Sequence, residues 1–168
     1  GGLGLSTLQI AKLVGARVIA VDIKDEKLKF ASQLGADDVI NASREDVAGA
    51  VKQLTDGEGA DYVFEFVGGA QTINQAIKSL RRTGKLIIVG HMPEQFSTTA
   101  SQLISGELEI LGSRANTRQD LTDTLKLVNT GKIRIKPIIT NEYPLDEVNT
   151  AINLLRQGEI LGRAVVKP

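Results

Sequence analysis

The sequence predicts an α/β fold built on a doubly wound parallel sheet. Two observations lead there. Up to Ser113, short apolar runs rich in β-branched residues alternate with amphipathic stretches, a βαβα rhythm. The run Val18 to Val21 is unbroken and flanked by charge, the pattern of a parallel strand covered on both faces.

The elements follow in order. Gly1-Gly2-Leu3-Gly4 runs into a helix over residues 5–14 that Gly15 ends. Arg17 to Asp22 is a strand. Residues 25–34 form a helix with Leu28, Ala31 and Leu34 on one face and Gly35 as its stop. Asp38-Val39-Ile40 is a short strand, 44–54 a helix, and Asp56-Gly57-Glu58-Gly59 a surface turn. Tyr62 to Val67 is a strand closed by Gly68-Gly69. Ile73, Ile77 and Leu80 stripe one face of the next helix. Lys85 to Val89, ended by Gly90, and Leu108 to Leu111, before Gly112, complete the alternation.

After Ser113 the pattern changes. Thr117 and Asp120 form a capping pair ahead of a helix striped by Leu121, Leu125 and Val128. Pro137 to Thr140 reads as extended, Val148, Ile152 and Leu155 stripe a helix, and Arg163 to Lys167 is a last strand. This tail is not expected to continue the same sheet.

Composition narrows the function. A formal net charge of zero gives no overall field to draw nucleic acid or an acidic membrane, and aromatic residues at 4% leave little for base stacking. No apolar run approaches the roughly 18 residues of a membrane span. The absence of cysteine excludes disulfides and thiolate zinc sites within these residues, and the single His91 cannot build a metal site alone. No catalytic or metal-binding residue is expected here.

The opening glycines carry the chemistry. Backbone N–H groups at a helix N-terminus bind phosphate, and glycine lets the chain approach a pyrophosphate closely. Gly1, Gly2 and Gly4 fit the later positions of G-x-G-x-x-G. A glycine turn alone is weak, but Asp22 closes the following strand near the offset of about 20 residues at which an acid meets the adenine ribose. A carboxylate there accepts from both ribose hydroxyls and repels a 2′-phosphate, which favours NAD over NADP. Ile23 is placed to pack on adenine and Lys27 to reach the ribose, although Lys27 reads equally as a solvated helix charge. Phe66-Val67-Gly68 and Val89-Gly90-His91 end two other strands, where open parallel sheets bind ligands. Ordinary strand termination by glycine would look the same. His91 has no acid placed by sequence to orient it, so it is not assigned to acid–base work. Arg163 is either a pyrophosphate clamp or a surface charge.

These residues resemble the C-terminal, NAD-binding half of zinc-dependent alcohol dehydrogenases of the medium-chain dehydrogenase/reductase family. The likeness rests on Gly1-Gly2-Leu3-Gly4 with Gln9-Ile10-Ala11-Lys12, on Val21-Asp22 with Glu26-Lys27-Leu28, and on Leu34-Gly35-Ala36-Asp37. It continues through Gly84 to Gly90, Tyr143 to Asn149 and Gly158 to Val166. It implies a Rossmann domain over residues 1–113, lacking its first strand, and a segment 114–168 that returns to a split catalytic domain. It also implies pyrophosphate contacts at Gly1, Gly2, Leu3 and Arg163, and ribose contacts at Asp22 and Lys27. Nicotinamide-side contacts are implied near Val67 and at Val89, Gly90 and His91.

The resemblance implies NAD as cofactor, an alcohol or carbonyl substrate and a cytoplasmic enzyme. Zinc would be held in the parent enzyme by ligands outside this sequence. Homo-oligomers would form through the edge strand near Leu108 to Leu111. The expectation is a fragment that does not fold stably alone and is inactive without the remainder. Alternatives are a zinc-free quinone or enoyl reductase and a non-catalytic nucleotide-binding module.

Overall fold

The computed structural model describes residues 1–168. The elements run α1 (Gly2–Leu13), β1 (Ile19–Asp22), α2 (Asp25–Gln33), β2 (Asp38–Asn41), α3 (Val47–Leu54), β3 (Ala60–Glu65) and α4 (Ala70–Ser79). They continue with β4 (Leu80–Ile88), α5 (Ala100–Gly106), β5 (Glu109–Gly112), α6 (Arg118–Asn129), β6 (Ile139–Pro144), α7 (Val148–Arg156) and β7 (Arg163–Lys167). The α/β alternation is as the sequence predicts. The strands form separate sheets, ordered β1-β2, β3-β4-β5 and β6-β7, with no strand joining β1 to β3. The tail keeps to its own sheet, as expected.

Several boundaries differ from the sequence reading. Helix α1 begins at Gly2, with Gly1 as its N-cap. Leu80 opens β4 and is not part of α4, because the backbone turns extended there at φ −70° and ψ 143°. Its side chain still packs with Ile73, Ala76, Ile77 and Leu86, so the apolar stripe is real although the helix stops short. Helix α3 starts only at Val47, where the Asp46 carboxylate accepts from the Gly49 N–H at 3.1 Å. Residues Lys136–Ile138 form a single 3-10 turn ahead of β6.

Contacts divide the chain into two compact units, one of residues 1–39 with 116–168 and the other of residues 40–115. In the first, Leu5 and Leu8 of α1 bury against Ala31, Leu34, Ala36 and Ile138, with Val18, Ala20 and Phe30 packed around them. Gln9 of α1, also buried, donates from Nε2 to the Arg134 carbonyl at 3.1 Å and accepts the Arg134 N–H on Oε1 at 2.9 Å. The amide side chain thus satisfies both backbone groups of one residue, as a strand partner would. Strands β6 and β7 pair in parallel, with a register shift between Ile139 and Asn141.

In the second unit, β4 lies between β3 and β5, parallel to both. Leu86 at the centre of β4 is fully buried, and Ile73, Ala76 and Ile77 of α4 cover it, with Val63, Ile88, Leu108 and Ile110 beside them. Burying a side chain of that size stabilises the fold by about 1.5–3 kcal/mol. This parallel arrangement brings the C-terminal ends of β3 and β4 side by side, through the pair Glu65 and Ile88.

Candidate dinucleotide site

The first unit gathers seven of the residues that the sequence singles out. Helix α1 has no side-chain cap and no acid in its first turn. Its N-terminal N–H groups and positive dipole end therefore meet no carboxylate of their own. The Arg163 side chain lies over Gly2 so closely that a Cβ there would stand 2.5 Å from its Cδ and 2.8 Å from its Cζ. Nothing lies within 4 Å of a Cβ built on Gly1. Gly2 is buried and Leu3 is exposed.

Charges from the neighbouring strand end reach the same place. Lys27, Asp22 and Arg163 all lie within electrostatic reach of the Gly1 nitrogen.

Asp22 ends β1 half-buried. Its Oδ1 accepts the Ile23 N–H at 2.8 Å and the Lys24 N–H at 3.1 Å, which fixes the carboxylate at the strand tip. Ile23 projects outward, 64% exposed. The two nearby lysines are distinct. Lys24 is tied to the tail, donating to the carbonyls of Gly158 at 3.1 Å and Gln157 at 3.4 Å. Lys27, in the first turn of α2, makes no such bond.

The second unit holds the other two predicted segments. The residues Phe66 to Gly68 follow β3, and Val89 to His91 follow β4. The Phe66 ring stacks on Phe64 with centroids 6.5 Å apart and planes 10° from parallel. Val67 and His91 are exposed, while Gly68 is buried with φ +86°. That left-handed conformation favours glycine. A Cβ on Gly68 would stand 2.7 Å from the Gly90 carbonyl carbon and from the His91 and Met92 nitrogens, so the two turns touch backbone to backbone.

Two residues of this region escaped the sequence reading. Glu65 is buried at the end of β3 and accepts from Val67, Gly68 and Thr72. The signal was present, since an acid interrupts the apolar run Val63-Phe64-Glu65-Phe66-Val67. Glu94, in the loop after β4, accepts the Ala70 N–H at 2.9 Å and so occupies the N-terminus of α4. That helix end is filled from within the chain, whereas the end of α1 is not.

The arrangement suits a dinucleotide. An uncapped helix start with an arginine laid over its glycine matches a pyrophosphate, and an anchored carboxylate at a strand tip matches a ribose. Zinc finds no comparable fit: no group of three or more His, Cys, Asp or Glu residues could hold a metal ion.

The chain is also similar to known proteins. Residues 2–130 match the family model described as zinc-binding dehydrogenase. An NAD-dependent alcohol dehydrogenase of Saccharolobus solfataricus is 34% identical over 100% of this chain and 48% of its own length. An alcohol dehydrogenase of Geobacillus stearothermophilus is 36% identical over 99% of this chain and 48% of its own. The crystal structure of the alcohol dehydrogenase from the hyperthermophilic archaeon Aeropyrum pernix superposes with a TM-score of 0.92 at 38% identity, covering 100% of this chain and 48% of that one. The chain therefore spans about half the length of the relatives it matches.

Proposed function

The chain belongs to the zinc-binding dehydrogenase family, and from that premise we propose that it is the NAD-holding part of an enzyme that transfers hydride between an alcohol and NAD. The observation that carries the proposal is the uncapped start of α1 with the Arg163 side chain laid over Gly2. When bound, NAD supplies the hydride acceptor. The chain's own residues bind and orient it. Gly1, Gly2 and Leu3 present N–H groups to the pyrophosphate, with Arg163 as its counter-charge. Asp22, anchored through Oδ1, offers its other oxygen to the ribose hydroxyls, and Lys27 and Ile23 flank the adenosine. Phe66, Val67, Gly68, Val89, Gly90 and His91 line the nicotinamide side.

In this reading residues 1–113 are the cofactor-binding domain and 114–168 belong to a catalytic domain. Zinc and the substrate pocket would be supplied by other residues of the parent enzyme. A cytoplasmic setting is part of the proposal; no helix is long and apolar enough to cross a membrane. A homo-oligomer is proposed through β5, the outermost strand of its sheet, which begins at Glu109, one residue later than expected.

The competing zinc-free reductase reading is disfavoured by Asp22, because NADPH would bring a 2′-phosphate against a carboxylate. The test is alcohol oxidation by the protein carrying this chain, with NAD and NADP compared. A preference for NAD by at least about tenfold, worth about 1.4 kcal/mol, supports the proposal. Equal use of both cofactors, or no oxidation of any alcohol, overturns it.

A further inference from the structure

We propose that Glu65 is a positioning residue that fixes both strand-end turns beneath the nicotinamide half of the cofactor; this rests on the dinucleotide reading above. Glu65 is 4% exposed. Its Oε1 accepts the Val67 N–H at 2.8 Å, the Gly68 N–H at 3.0 Å and the Thr72 hydroxyl at 2.8 Å, and its Oε2 accepts the Gly68 N–H at 2.8 Å. The main-chain carbonyl of the same residue accepts the Val89 N–H at 2.8 Å and the Gly90 N–H at 2.9 Å. One residue therefore holds the turn after β3 with its side chain and the turn after β4 with its backbone.

The chemistry of the donors explains why an acid stands there. Every partner of the side chain donates, and an ionised carboxylate is the side chain that only accepts. Such charge-assisted bonds are roughly twice as strong as neutral ones. A glutamine in this place would turn its NH₂ group toward at least one N–H, leaving a buried donor without an acceptor.

The two turns cannot relax independently. Gly68 is held left-handed by the carboxylate, and its backbone lies against that of Gly90. Losing the carboxylate frees Gly68, and the displacement passes to Val89, Gly90 and His91 by direct contact. Glu65 itself is buried and acts through the residues it holds.

The test compares NADH, followed by its nicotinamide fluorescence, with ADP-ribose, which lacks nicotinamide, followed by calorimetry. Both are titrated into the protein carrying this chain, native and with Glu65→Gln or Thr72→Val. The substitution Glu65→Gln is expected to weaken NADH about tenfold and ADP-ribose less than about twofold, while Thr72→Val weakens NADH about threefold with the same selectivity. Equal loss for both ligands, the mark of a merely structural role, overturns the proposal, and so does unchanged NADH affinity. If Glu65→Gln does not fold, Thr72→Val decides by the same split. Native protein that binds neither ligand refutes the dinucleotide reading and this proposal with it, a result distinct from equal loss in a variant.

Discussion

Gly68 and Gly90 meet backbone to backbone, with no room for a side chain on either. A Cβ on Gly90 would collide with the Gly68 nitrogen and lie 2.5 Å from the Val67 nitrogen. Neither neighbour is a flexible side-chain end that could swing aside. Gly90→Ala is expected to destabilise the protein by about 3 kcal/mol, as an overpacked core site does. Urea denaturation of the variant beside the native protein measures it. A cost under about 0.5 kcal/mol would mean that the turns do not pack this way.

Gly2 offers the contrast. Its hypothetical Cβ would meet the Arg163 side chain, which can move. Gly2→Ala is expected to fold with a stability change below about 1 kcal/mol and to displace the guanidinium. Both Gly2→Ala and Arg163→Ala should weaken ADP-ribose by about tenfold, the loss of one charge-assisted contact to phosphate. Calorimetric titration checks this. If Arg163→Ala left the affinity intact, the arginine would be a surface charge only.

Asp22 has one task in the fold and a second, proposed one at the ribose. Its Oδ1 holds the Ile23 and Lys24 N–H groups, and an asparagine keeps that acceptor while removing the charge. Asp22→Asn is expected to weaken NADH severalfold and to narrow the preference over NADPH by about tenfold. Fluorescence titration with both cofactors reads the change. An unaltered preference would show that the carboxylate does not face the ribose.

The start of α6 supplies a pH dependence. Thr117 accepts the Asp120 N–H at 3.1 Å, while Asp120 Oδ2 accepts the Thr117 N–H at 2.8 Å and hydroxyl at 2.7 Å. The Asp120 carboxyl is held below its ordinary value of 3.8, by the Thr117 backbone first and its hydroxyl second, against solvent loss and Asp123. A depressed folded value stabilises above the ordinary value, and the contribution is lost as pH falls through the folded one. Thermal melts from about pH 6 down to about pH 2 should show a smaller acid loss for Asp120→Asn than for the native protein. Thr117→Ala removes the hydroxyl cap and is expected to cost about 1 kcal/mol at neutral pH.

Much of this molecule was legible in the sequence. Val18 to Val21 marked β1 through its unbroken, β-branched apolar run, although the strand is not covered on both faces as expected: none of its residues is fully buried and Val21 is 45% exposed. Thr117 and Asp120 marked the start of α6 because their spacing allows reciprocal capping. Helix α5 went unread although Thr99 and Gln102 carry a similar signal; the Thr99 hydroxyl accepts the Gln102 N–H at 3.1 Å. Its apolar positions are too few to make a stripe, and it buries none of its residues.

The site was legible only in part. Gly2 and Asp22 announce themselves through a local motif, but the approach of Arg163 to Gly2 joins opposite ends of the sequence and no local pattern encodes it. Glu65 was hidden differently. Its position in a strand-like run gave an acid of unknown direction, and only the fold shows three donors converging on it.

The Gln9 clasp on Arg134 has a consequence for how the polypeptide can be cut. Residues 116–168 share a compact unit with residues 1–39, so the segment around Ala115 is a covalent bridge between parts that also hold each other without it. A protease nick there yields two peptides that stay associated and elute together, and a Gln9→Ala exchange loosens that complementation.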